Sequence, residues 1–124
     1  MTSKLKSAGR EADARRQALL HRYDEEDLHQ LRVNLRRIRS CLKQRHGRKA
    51  KLLRHQLGNL ADATGAARDW DTLLARADNE LGPRQIKLLA PRLLAHQAVA
   101  QEPVRSMLES DEWHRAIEDW KTYI

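Results

Sequence analysis

The stretch Leu28–Lys43, L-H-Q-L-R-V-N-L-R-R-I-R-S-C-L-K, constrains this chain more than any other. Leu28, Leu31, Leu35, Ile38 and Leu42 recur at steps of three and four, the spacing that gathers residues on one face of an α-helix. His29, Arg32, Arg36, Arg39 and Lys43 repeat those steps one residue later. At about 100° per residue a basic row therefore runs beside the apolar one. A charged face that only meets solvent lies opposite the core, whereas a row bordering the core lines the rim of a groove. From His29 to Lys43 the row is about 21 Å long at 1.5 Å per residue, and no carboxylate within the stretch neutralises it. An extended anion suits such a row. Arginine predominates in it, and the planar guanidinium fork matches phosphate or carboxylate oxygens. Arg37 stands about 100° away from the other arginines. The plainer reading of all these cations is a solvated face with ion pairs to the acidic C-terminal part of the chain.

The charge is unevenly distributed. Residues 28–68 hold eleven Lys or Arg against one acid, while residues 1–27 balance at six of each and residues 69–124 hold seven against ten. The middle third thus carries +10 and the last part −3, within a net charge of +7. Such polarity concentrates a field where it can steer a polyanion.

At 124 residues the chain is expected to form one domain spanning residues 1–124. It has no Phe, so Leu and Ala must fill the core, which favours helices over sheets. The fold expected is all-α, an antiparallel bundle of four main helices plus a shorter N-terminal or connecting helix. Residues 1–9 read as a loose start, and Arg10–Arg22 as a first helix with Ala12, Arg15, Leu19 and Arg22 on a mixed face. Asp24 to Asp27 is a helix start signal rather than a metal site. The central helix should end near Gln44–His46, with Gly47 taking the left-handed conformation after it. Arg48, Lys49, Lys51 and Arg54 open the next helix, whose inward row is Leu53, Leu57, Leu60 and Thr64. Gly58 is costly inside a helix, by roughly 1 kcal/mol against Ala, so a crossing backbone or a ligand should come close there, the crossing being the plainer reading. Gly65 is read as a break, Asp69 as the cap of the following helix, and Trp70 as a core anchor continued by Leu73, Leu74 and Ala77. Arg68 just ahead of that helix is placed to meet an anion. Gly82 and Pro83 mark a boundary. A short helix over Arg84–Ala90 and a longer one opened by Pro91 should follow, with a kink at Pro103. Ser110 starts a last helix in which Trp113, Ile117 and Trp120 share a core or partner-facing side.

Catalytic groups are hard to assemble from this sequence. There is no P-loop and no H-E-x-x-H. Asp69 and Asp71, two apart on a helix, point about 200° from one another. The histidines at 21, 29, 46, 55, 96 and 114 have no tight ligand spacing. No metal, cofactor or enzymatic activity is expected. Cys41, the single cysteine, excludes an intramolecular disulfide and reads as a small core residue. No apolar run has the length of a signal-peptide core or a membrane span, so a cytoplasmic location is expected. His29 has three readings: anion contact, metal ligand or buried structural histidine. Its place on the basic row favours the first, in which case protonation adds a charge and affinity for an anion at pH 6 exceeds that at pH 8.

Two segments, H-Q-L-R-V-N-L-R-R-I-R and the later L-G-N-L-A-D-A-T-G-A-A-R-D-W-D-T-L-L, resemble the CHAD domain, the conserved histidine α-helical domain. The likeness runs from about Asp27 to Trp120 and is strongest over residues 27–77. It implies a helical, noncatalytic domain that binds inorganic polyphosphate through a basic surface. Carried onto this sequence, His29, Arg32, Arg36, Arg37, Arg39 and Lys43 would make the contact row, with Arg48, Lys51, Arg54 and Arg68 closing the groove. Polyphosphate granules would then be one destination. The family's usual domain is a tandem of two such bundles and this chain resembles the first, so a homodimer would rebuild a two-bundle surface. A nucleic-acid-binding helical protein using the same face is the alternative. Against it, residues 28–68 contain no Phe, Tyr or Trp on which single-stranded bases could stack. A third reading has Trp113 and Trp120 docking another protein.

Overall fold

The computed structural model describes residues 2–124, which form six helices and, among the described residues, no strand. They are α1 (Thr2–His21), α2 (Glu25–Lys43), α3 (Arg48–Asp62), α4 (Gly65–Glu80), α5 (Pro83–Leu108) and α6 (Asp111–Tyr123). The all-α bundle expected from the sequence is what forms. Successive helices are joined by turns of a few residues, so neighbours run antiparallel.

The centre is α2. Asp24 caps it, its carboxylate accepting from the amides of Glu26 at 2.9 Å and Asp27 at 3.1 Å, and the acidic first turn complements the helix dipole. Leu28, Leu31, Leu35, Ile38 and Leu42 are all buried, so the apolar stripe is the core seam. α1 packs along one side of it and α3 along the other, and α6 closes against α3. Leu53, Leu57 and Leu60 of α3 are buried as read, and so is Thr64, although it lies beyond α3 in the turn to α4. Trp113, Ile117 and Trp120 are buried too, which removes the tryptophans as a free docking surface. Ser110 caps α6, its hydroxyl accepting from the amide of Trp113 at 3.2 Å. Arg16 fastens the end of α5 to α1, donating to the Leu108 carbonyl at 2.7 Å with its guanidinium over the Trp113 ring.

Four readings of the sequence need correction. Residues 2–9 belong to α1, and Leu5 and Ala8 are buried; Met1 lies outside the described residues. α1 packs along α2, and at Gly9 it comes close to α6, where a Cβ would stand 2.8 Å from Trp120 Nε1. Asp69 is not a cap, because α4 already begins at Gly65, four residues earlier. Pro91 does not open a helix: α5 runs unbroken through Pro91 and Pro103, with Pro83 at its first turn. Trp70 is half-buried rather than a core anchor, stacked on His96 at 5.1 Å, and Leu73 beside it is 44% exposed. The last of these has a plain structural reason. Beyond Ala67 and Asp71, α4 and the first half of α5 leave the bundle as a two-helix arm covered only by its own two helices.

A buried polar knot roots that arm. Asp71, 2% exposed, accepts from the Tyr23 hydroxyl at 2.7 Å and from the Gln97 amide at 2.8 Å. It thus joins the α1–α2 turn, α4 and α5. Asp69 is exposed on the other side of the helix, so the two carboxylates diverge.

Candidate anion-binding site

The basic row of α2 and the opening turns of α3 face the same side of the bundle. Between them lie two adjoining hollows. The wider, an open groove of about 680 Å³, is lined by Arg39, Lys43, Arg48, Lys51, Arg54, His55 and Gly58, with Leu52, Asn59 and Asp62 at its edges. The narrower, about 220 Å³, is lined by His29, Arg32, Val33, Arg36, Arg39, Ala61 and Arg68. Arg39 lines both, and the two adjoining hollows together make up a basic trough. Nine of the ten residues read from the sequence line it, and Arg37, exposed on α2, lines neither part.

Each element places its cations for a reason already visible in its sequence. On α2 the row is fixed by the burial of the leucine seam next to it, which leaves His29, Arg32 and Arg39 half-buried while Arg36 and Lys43 are exposed. The chain reverses at Gly47, whose φ of 111° and ψ of 163° belong to a region essentially closed to other residues. This positive φ falls at the entry to α3 rather than directly after the last turn of α2. The reversal brings Arg48, Lys51 and Arg54 alongside Arg39 and Lys43. Arg68 arrives from the first turn of α4, inside the helix and not ahead of it.

Two contacts set the arginines. Arg32 Nη1 donates to Thr64 Oγ1 at 2.7 Å, and that hydroxyl donates in turn to the Ala61 carbonyl at 2.6 Å. Thr64 makes no side-chain hydrogen bond to cap α4, its hydroxyl being engaged with Arg32 and Ala61 instead. Arg39 lies across α3 at Gly58, where a Cβ would sit 3.3 Å from its Nη2. The close neighbour implied by a mid-helix glycine is thus a guanidinium of α2, not a crossing backbone. The Nε of Arg39 is buried without a hydrogen-bond partner.

Electrostatically the trough is uncompensated. Among the described residues the ion pairs are Arg15 with Glu11 and Asp27, Arg76 with Glu80, Arg105 with Glu109, and Lys121 with Glu118. None uses a trough residue, so the plain reading of a basic face paired to the acidic C-terminal part is not what the structure has. Asp62 at the edge of the groove is the one carboxylate lining either hollow. Among the described residues no group of three or more His, Cys, Asp or Glu could hold a metal ion. No helix among them is long and apolar enough to cross a membrane.

Sequence reasoning missed four participants. Thr64 was read as part of an inward row and is also the seat of Arg32. His55 and Asn59 sit one and two turns beyond Lys51 on α3, so the same step rule applied to that helix reaches them. Asp62 carries no signal in the sequence that separates it from any surface acid.

A family model described as the CHAD domain matches residues 4–124. The chain belongs to the CHAD family. The match reaches further than the two segments that resemble the domain, taking in α1 and the end of α6. CHAD domains form a binding family associated with polyphosphate and are not typically catalytic. Neither the curated proteins nor the solved structures contain a match to this CHAD chain.

Proposed function

We propose that this CHAD domain binds inorganic polyphosphate along the trough, without catalysing a reaction on it. The observation that carries the reading is the convergence of ten basic side chains, His55 among them and none ion-paired, on two hollows that meet at Arg39. A chain of phosphates offers a charge at every unit and no sequence to read. Arginine forks set along a trough follow it by multivalent pairing, and release of condensed counterions supplies much of the affinity. The guanidinium-bearing side chain of Arg39 lies where the two hollows meet. The family's association with polyphosphate supports the same reading. Such a protein would act where polyphosphate accumulates, in the cytoplasm and at its granules.

A nucleic acid would use the same charges. No Phe, Tyr or Trp lines either hollow, which removes the stacking platforms that hold single strands. The test compares long polyphosphate with a length-matched duplex DNA at near-physiological salt, for wild type and for Arg36→Ala/Lys51→Ala. Both substituted residues are exposed, one in each hollow, so the fold is spared. Charge-assisted contacts of this kind are worth about 1.5–3 kcal/mol each. The double substitution should therefore weaken polyphosphate binding by roughly 100-fold or more, with DNA bound weakly throughout. Preference for DNA, or polyphosphate binding indifferent to the substitutions, would sink the proposal.

A further inference from the structure

A lone carboxylate stands among the cations of the trough. Asp62 lines the wide groove together with five Lys or Arg, is exposed, and among the described residues makes no ion pair with any of them. The position is doubly unfavourable for an acid. Asp62 is the final residue of α3, at the negative end of the helix dipole, and no basic residue in the last turn offsets it. It also borders a surface that attracts anions, where its own charge works against them. His55, Asn59 and Asp62 follow one another along α3 at steps of four and three, and all three line the wide groove. Ala61 lines the narrow hollow, so the carboxylate stands at the border of the two. Among the described residues no group of three or more His, Cys, Asp or Glu could hold a metal ion on protein ligands alone. Mg²⁺, however, is commonly held by one or two carboxylates together with phosphate oxygens, keeping several of its waters.

We propose that Asp62 holds a Mg²⁺ ion between the end of α3 and the bound polyanion, with the Asn59 side-chain oxygen as a further ligand or as acceptor for a water on the metal. The proposal rests on the polyphosphate reading of the trough and adds to it an ion that comes with the phosphates. A bare carboxylate at this border repels each phosphate that passes, whereas a divalent ion bound to it turns the repulsion into a bridge. The same ion answers the uncompensated end of the α3 dipole. Ca²⁺ suits the place less well, because it takes six to eight oxygen ligands and this edge offers one carboxylate and one amide. The metal is thus a shared one, completed by phosphate oxygens, and the protein without polyphosphate does not retain it.

Polyphosphate affinity is measured at fixed ionic strength in Na⁺ alone and with about 1 mM Mg²⁺, for wild type, Asp62→Asn and Asp62→Lys. Asp62 is exposed, so the substitutions spare the fold. Mg²⁺ also neutralises phosphates in solution, equally for every variant, so the ratio of affinities isolates position 62. In Na⁺ alone Asp62→Asn, which lacks the repelling charge, should bind roughly 3- to 10-fold more tightly than wild type. With Mg²⁺ that advantage should vanish or reverse, the ratio of wild-type to Asp62→Asn affinity rising at least about 10-fold. Asp62→Lys carries its own cation at a helix end that favours one, so it should bind tightly in Na⁺ and gain nothing from Mg²⁺. Calorimetry of Mg²⁺ against the protein without polyphosphate should show no binding. A ratio that Mg²⁺ leaves unchanged overturns the bridge while polyphosphate binding stands. Mg²⁺ binding to the protein alone overturns the shared site. A wild type that binds polyphosphate in neither medium overturns the bridge together with the reading beneath it.

Discussion

Arg39 and Gly58 make the sharpest claim at the scale of single residues. A methyl group at position 58 would press on Arg39 Nη2 from 3.3 Å, and the guanidinium, being the far end of a flexible side chain, can give way. Gly58→Ala should therefore gain up to about 1 kcal/mol of helix stability while lowering polyphosphate affinity roughly 3- to 10-fold, less than the full loss of a charge-assisted contact because the guanidinium is displaced and not removed. Melting and binding measured on the same samples would separate the two effects. Unchanged affinity would mean that the join between the hollows does not depend on where Arg39 lies. The sequence did expose Gly58 as a position needing an explanation, through the energetic cost of a mid-helix glycine. It could not say which neighbour claimed the space, because that depends on how far α2 and α3 approach one another across the Gly47 reversal.

Among the elements, α2 and α3 were legible because their caps, apolar steps and basic steps all agree: Asp24, the leucine seam and the row from His29 to Lys43 point to one helix in one orientation. The arm was not. Its Trp70, Leu73, Leu74 and Ala77 show the spacing of a buried row, yet spacing reports which residues share a face and not whether a neighbour exists to cover it. Pro91 misled for a related reason: a proline lacks one amide donor, and a helix can continue through it when its other bonds hold. What keeps the arm attached is the knot at Asp71. The Tyr23 hydroxyl is pushed above its usual range, first by burial and then by its bond to the Asp71 carboxylate. The folded chain thus keeps a proton that the unfolded chain releases near pH 10. The stabilisation is complete below about pH 10 and is lost as pH rises through the higher folded value. Tyr23→Phe should cost about 1–3 kcal/mol at neutral pH, the penalty for a buried acceptor left short of a donor. The gap between variant and wild type should narrow above about pH 10. Urea unfolding of both proteins at neutral and alkaline pH would check it; a gap independent of pH would show that the phenol proton plays no part.

For the whole molecule, the decisive property is polarity of charge. Residues 28–68 supply every cation of the trough, whereas the core that holds those residues together draws buried side chains from all six helices. If eight phosphate contacts form, the single-strand coefficient gives a slope on the order of −5 to −6 in log K against log salt. A slope of about −3 would mean that only one hollow, with its four or five cations, is occupied. The unpaired trough has a second consequence, which concerns the protein when nothing is bound. Cations crowded along one face without acids to answer them repel one another, and the core must contain that repulsion. Added salt should accordingly raise the melting temperature of the empty protein even as it loosens the bound polyanion. At ligand concentrations of about 100 Kd, binding should add about 2.7 kcal/mol of stability. The anion then works as a missing counterweight, and the chain is at its most fragile when it is both empty and in dilute salt.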